Sequence, residues 1–203
     1  YTSDHGENAG ARGMWGKSNQ YEEAGGIPFI IAGPDVPAAK VCATPVTLVD
    51  AHPTILQAAG LPYGKDGTPG KSLFDIATDA DDKERVVFSE YHAVVSTTAS
   101  YMLRSGQFKF VFYVGYPPQL FDLTADPDEC RDLAALADYR PVVNALERQL
   151  RDLLDPEATD ARAKADQRAL VARHGGRDAV LAKGSFVNSP VPGETPTYRP
   201  GRG

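Results

Sequence analysis

Cysteine is scarce in this chain, with Cys42 and Cys130 the only two in 203 residues. Two thiols cannot build a disulfide framework, so both read as unpaired small hydrophobes. Basic residues are outnumbered: 21 Lys and Arg stand against 27 Asp and Glu, for a formal net charge of -6. Without a basic stripe there is no electrostatic footprint for nucleic acid. Long apolar runs are missing too. The longest, around Phe29-Ile30-Ile31-Ala32, is far too short to span a bilayer. No secretory leader is visible, and the chain starts without an initiator Met. A hydrophobic content of 42% is ample for a core and fits a soluble enzyme of one domain or slightly more.

Periodicity divides the chain into three blocks and gives the fold class as α/β. Residues 1–85 open with a loop. A continuous apolar run at Ile27-Pro28-Phe29-Ile30-Ile31 then predicts a strand buried on both faces. Pro53 to Ala59 predicts a helix, with proline at its start and Gly60 just past its end. The stretch 63–85 reads as a Gly/Asp/Lys-rich loop. Residues 86–155 predict a small antiparallel sheet plus a helix. Strands run through Val86–Glu90, Tyr101–Arg104 and Phe108–Tyr113, with a hairpin turn at Ser105-Gly106. Val142, Val143, Leu146, Leu150, Leu153 and Leu154 then form one apolar helical stripe. Residues 156–203 predict a helical extension ended by Gly175-Gly176, then a Pro/Gly-rich arm from Ser189 onward. The arm reads as a solvated tail, with packing across a second copy of the chain as the alternative.

The chemistry concentrates at the amino end, in Ser3-Asp4-His5-Gly6-Glu7 and Trp15-Gly16-Lys17. A carboxylate beside an imidazole offers hard oxygen and neutral nitrogen to a divalent cation. The competing reading is a capped turn, since Ser and Asp bond backbone amides readily. Lys17 can bring a point charge to an anion held on that metal, or be a solvated surface group. Trp15 and Gly16 suggest a close-packed approach to it. Glu7 and Arg12 share the loop, where a surface ion pair is an equally good reading. His92, in Glu90-Tyr91-His92, is a candidate substrate contact or proton donor, or a hydrogen-bonded structural residue. Asp50, His52 and His174 read as structural, belonging to helix ends.

The ordered series Thr2-Ser3-Asp4-His5-Gly6-Glu7, Trp15-Gly16-Lys17, Tyr21-Glu22-Glu23 and Ile27-Pro28-Phe29-Ile30-Ile31 resembles the second half of a type I sulfatase, of the alkaline phosphatase-like superfamily. The likeness continues through Leu48-Val49-Asp50-Ala51-His52-Pro53-Thr54-Ile55-Leu56, then Leu120-Phe121-Asp122-Leu123 and Asp126-Pro127-Asp128-Glu129, and covers roughly residues 1–155. It implies that residues 1–85 are the last part of an alkaline phosphatase-like sandwich, a mixed and mostly parallel sheet with flanking helices. It also implies a sulfate ester substrate and a divalent metal, calcium by family habit, with manganese or zinc suited by the nitrogen of His5. Asp4 and His5 would be half the metal shell; Lys17, and His92 as the further candidate, would act on the substrate. His5 stands where many sulfatases have asparagine, a variant shared with choline sulfatase-like and phosphonate monoester hydrolase-like members. The family's nucleophile is a formylglycine made from a Cys/Ser-X-Pro-X-Arg signature. Neither Cys42-Ala43-Thr44-Pro45-Val46 nor Cys130-Arg131-Asp132 fits it. The resemblance therefore implies that the nucleophile lies in a missing amino-terminal half and that this chain alone is inactive. Two alternatives stay open: a phosphonate monoester or phosphodiester hydrolase, and a non-catalytic interaction fragment.

Overall fold

The computed structural model describes residues 1–64, 67–93, 96–186, 193, 195 and 197–199. It divides into two compact units, Tyr1–Pro156 and Glu157–Gly203. The first is built on a four-stranded antiparallel sheet in the order β1-β2-β3-β4. Its strands are β1 (Val86–Tyr91), β2 (Ser100–Ser105), β3 (Phe108–Tyr113) and β4 (Tyr116–Asp122). The turn between β2 and β3 is Gly106-Gln107, one residue later than expected, and Gly106 takes a φ of 53° that suits glycine.

Because side chains alternate across a strand, the two faces of the sheet have different fates. Phe88, Leu103, Phe110 and Leu120 align across the four strands. Together with Tyr101 and Phe112 they pack against Val143, Leu146 and Leu150 of the helix Arg140–Leu153. That helix, α4 below, carries the apolar stripe the sequence predicts, except that Leu153 is exposed. The opposite face presents Val87, Ser89 and Tyr91 of β1, Met102 and Arg104 of β2, and Lys109 of β3. This second face becomes the floor of the candidate site.

β4 did not stand out in the sequence because Pro117 and Pro118 cannot donate to a ladder, and it sits at the edge of the sheet, where proline is tolerated. Farther along β4, Leu120 donates its N–H to Asp132 Oδ1 at 3.0 Å and accepts from Leu133 N–H at 2.8 Å.

Ahead of the sheet lie three short helices: α1 (Glu22–Gly25), α2 (Ala51–Ala58) and α3 (Leu73–Thr78). α2 is the helix predicted around Pro53. It ends as expected, with Gly60 at φ 68° and the Leu61 N–H bonded to Leu56 O at 2.9 Å. α3 lies within the stretch read as loop; the Ser72 hydroxyl caps it, accepting from Phe74 N–H at 3.3 Å, and Leu73 and Ile76 are buried. Asp50 belongs to the turn into α2. It is fully buried, accepts from Thr47 and Lys71 amides at 2.9 and 2.8 Å, and takes both Arg85 nitrogens at 2.9 and 2.7 Å.

One expectation fails. Instead of a buried strand at 27–32, Phe29 makes only an isolated antiparallel bridge to Thr2, and Ile30 is 58% exposed. An apolar run is buried on both faces only when strands flank it, and none does among the described residues. The second unit holds most of α5 (Pro156–Arg173), then α6 (Arg177–Lys183) and a two-residue ladder of β5 (Ser185–Phe186) with β6 (Tyr198–Arg199). Most of the predicted arm, including Ser189, Pro190, Val191, Pro192 and Glu194, falls outside the described residues. Among the described residues no helix is long and apolar enough to cross a membrane.

Leu150 is fully enclosed in the core, so Leu150→Ala should cost about 2–5 kcal/mol of stability by denaturant titration. The Leu153→Ala control, on an exposed side chain, should stay within about 0.5 kcal/mol. Burial also pushes the Tyr113 hydroxyl from 10.0 up to about 12. The folded chain then keeps a proton that the unfolded chain releases above pH 10, so this contribution is present below 10 and lost as pH rises towards 12. In Tyr113→Phe, denaturation midpoints measured across that window should fall less steeply.

Candidate active site

Ser3, Asp4, His5 and Gly6 form a tight turn. The Ser3 hydroxyl donates to His5 O at 2.6 Å, and the His5 N–H donates to Asp4 Oδ1 at 3.1 Å. The capped turn is therefore real, yet it leaves the functional atoms of the pair facing each other. His5 Nδ1 lies 2.8 Å from Gly6 O. A carbonyl can only accept, so Nδ1 carries the proton, and in the neutral ring the lone pair is left on Nε2. That nitrogen lies 3.3 Å from Asp4 Oδ2. Two lone-pair atoms this close repel unless a cation lies between them, either a proton or a metal ion. The donor set, one carboxylate oxygen and one imidazole nitrogen, suits a divalent metal. It is only part of a shell: no group of three or more His, Cys, Asp or Glu poised for a metal occurs among the described residues.

Asp4, His5 and Lys17 line a single cavity of about 610 Å³, whose floor is the second face of the sheet, with Ser89, Tyr91, Met102, Arg104 and Lys109. Lys17 is exposed, and its loop is latched from two sides. The Glu7 carboxylate accepts the Gly16 N–H. Asn8, 3% exposed, directs its backbone N–H (2.9 Å) and its side-chain amide to Gly16 O. On the sheet side, Tyr91 OH donates to the Ser18 hydroxyl at 3.0 Å.

Two local readings change. Glu7 and Arg12 do not pair: Glu7 holds the Gly16 amide, while Arg12 lies 3.4 Å from Glu23 Oε1 and 4.3 Å over the Tyr21 ring. Nor does Trp15 close-pack beside Lys17, for it is 80% exposed; the side chains of Glu7 and Asn8 do the latching in its place.

His92 is not among the residues lining the cavity. Its Nε2 lies 3.1 Å from Glu90 Oε2, and its ring packs edge-on to fully buried Tyr101, with centroids 5.4 Å apart. Tyr101 belongs to the core face of the sheet. The structure thus brings together Asp4, His5 and Lys17 and leaves His92 apart from them. Arg104 and Lys109 were missed by sequence reasoning; the available signal was that Phe108-Lys109-Phe110 alternates, placing the charge on the face opposite the core.

The sequence model of the N-sulphoglucosamine sulphohydrolase carboxyl-terminal family matches residues 10–155. The chain belongs to this sulfatase family. Arylsulfatase K of Danio rerio is 34% identical over 163 residues, which is 76% of this chain and 31% of that protein. The sulfatase chain thus spans about a third of the length of the curated relatives it matches. Among solved structures, it superposes on a 2-O GAG sulfatase with a TM-score of 0.66 at 28% identity, covering 83% of this chain and 37% of that one. It also superposes on the phosphonate monoester hydrolase of Agrobacterium radiobacter with a TM-score of 0.62 at 26% identity, covering 75% and 34%. The fold is that of the alkaline phosphatase-like sulfatases, α/β with an antiparallel four-stranded sheet.

If Glu7 sets the Lys17 loop, Glu7→Ala should speed amide hydrogen exchange at Gly16 by about tenfold while leaving exchange in β2 and β3 unchanged. Unaltered exchange at Gly16 would show that the latch is dispensable.

Proposed function

We propose that this chain supplies part of the active site of a metal-dependent sulfuric ester hydrolase. The observation that carries the reading is the convergence of Asp4, His5 and Lys17 on one cavity in a chain of the sulfatase family. Asp4 Oδ2 and His5 Nε2 would hold the metal, calcium by family habit. When bound, the metal would polarise the oxygens of the sulfate ester. The Gly6 carbonyl keeps the His5 proton on Nδ1, so the ring stays oriented with its free nitrogen towards Asp4. Lys17, held by Glu7 and Asn8 through Gly16, offsets negative charge as it grows on the ester. The sheet floor closes one side of the cavity. A formylglycine is the nucleophile this reading requires. No Cys/Ser-X-Pro-X-Arg signature occurs in the 203 residues, so it would come from outside them. The likeness to a 2-O GAG sulfatase supports sulfated saccharides as the first esters to assay.

Phosphonate monoester or phosphodiester hydrolysis is the second reading, supported by the superposition on the Agrobacterium radiobacter enzyme. Aryl sulfate, phosphodiester and phosphonate substrates assayed side by side would separate the two.

The mechanism itself is tested by Asp4→Ala and Lys17→Ala in the full enzyme, with metal content and turnover measured together. Asp4→Ala should loosen the metal, with partial rescue by added metal. Lys17→Ala should keep the metal and lose about 100- to 1000-fold in kcat, as expected for one preorganised electrostatic donor. Near-normal turnover in Lys17→Ala would remove the cation from the mechanism.

A further inference from the structure

The loop that carries Asp4, His5 and Lys17 rests on the sheet through a buried ion pair. Lys109, whose side chain is 1% exposed, places Nζ 2.6 Å from Glu22 Oε1 and 2.8 Å from Glu129 Oε1, and donates to Gln20 O at 2.9 Å. Glu129, with a fully buried side chain, uses its other oxygen to accept the Glu22 N–H at 2.7 Å, at the first residue of α1. α1 in turn holds the amino-terminal turn: Ala24 O accepts the Gly6 N–H at 2.8 Å. The approach is so close that a Cβ at Gly6 would run into Glu23 O. Gly6 O is the acceptor that fixes the His5 ring. The contacts therefore run without a gap from Lys109 and Glu129, through Glu22 and Ala24, to Gly6 and His5.

A second strut reinforces the first. Arg12 donates to the backbone carbonyls of Asp128 and Glu129, the latter at 3.1 Å. Arg12 and Glu129 both adopt left-handed φ values, 55° and 48°, which non-glycine residues keep only where their surroundings impose them. Glu129 is buried in the otherwise exposed turn after β4, and its left-handed backbone is held in place by the Arg12 contact.

We propose that Lys109 and Glu129 are positioning residues for the Asp4–His5 pair: through α1 and Gly6 they set the separation of the Asp4 carboxylate and the His5 nitrogen. The proposal rests on the reading of Asp4 and His5 as metal ligands. It assigns a role to Glu129 of the Asp126-Pro127-Asp128-Glu129 block, which touches neither metal nor substrate.

The test uses the full sulfatase stripped of metal, with calcium binding measured by calorimetry and amide exchange at Gly6 measured without metal. Glu129→Gln keeps an acceptor for the Glu22 N–H and removes the charge facing Lys109. Glu129→Asp keeps the charge but withdraws it by one methylene, and serves if Glu129→Gln does not fold. In either variant the calcium Kd should rise about tenfold, at the low end of what losing an outer support of a metal ligand costs. Exchange at Gly6 should quicken by a similar factor. Leu150→Ala, a core lesion, should lower Tm and leave the calcium Kd as it is. If the Glu129 variants lower Tm but leave both calcium Kd and Gly6 exchange unchanged, the pair is structural only and the proposal is overturned. If Asp4→Ala binds calcium as the parent does, the ligand reading fails instead, and the proposal with it.

Discussion

The interaction on which the rest depends is the ammonium of Lys109. A lysine offers three N–H donors and no acceptor, and taking it out of water is costly unless all three are met. Here three oxygens lie close to it: it donates to Gln20 O at 2.9 Å and sits 2.6 and 2.8 Å from the carboxylates of Glu22 and Glu129. Two come from the segment just after Lys17 and one from the loop after β4, so a single cation binds three parts of the chain that are distant in sequence. Such a cluster contributes little net stability against a well-packed apolar alternative, but removing one member leaves an uncompensated charge and is severe. Its value is in the geometry it enforces.

The period of the strand gives the sheet one face towards α4 and an opposite face that floors the cavity. Phe88 of β1 packs against the core, while Val87, Ser89 and Tyr91 lie on the opposite face; Phe88 and Glu90 border the cavity as well. A core substitution and a site substitution can therefore be one residue apart. A second buried pair does similar work elsewhere, for Asp50 ties the start of α2 to Arg85 just before β1 and to the chain ahead of α3.

Much of this was legible in the sequence because it is local. Alternation predicts β1, β2 and β3, spacings of three and four predict α4, and Asp4, His5 and Lys17 sit in short motifs. What was hidden depends on long-range partners. Lys109 between two phenylalanines reads as a strand residue turned to water, and only the amino-terminal loop folding over that face reveals it as buried. Glu129 and Arg85 look like ordinary surface charges until their partners, Glu22 and Asp50, arrive from 107 and 35 residues away. The run at 27–31 misled for the converse reason: its composition suits a central strand, but burial is a property of neighbours, not of the run. Trp15 likewise has the composition of a packing residue and the exposure of a free one.

The two edges of the sheet are unequal. Along β4, proline removes donors near its start, and Asp132 and Leu133 occupy the backbone groups of Leu120 farther on. β1 is the edge strand on the other side. An edge strand is a template for another strand, and β1 borders the cavity. A strand that joined the sheet on the β1 side would lie next to the cavity-facing Val87, Ser89 and Tyr91. Such a strand would become a new wall of the cavity, so the β1 side is where the site can be reshaped.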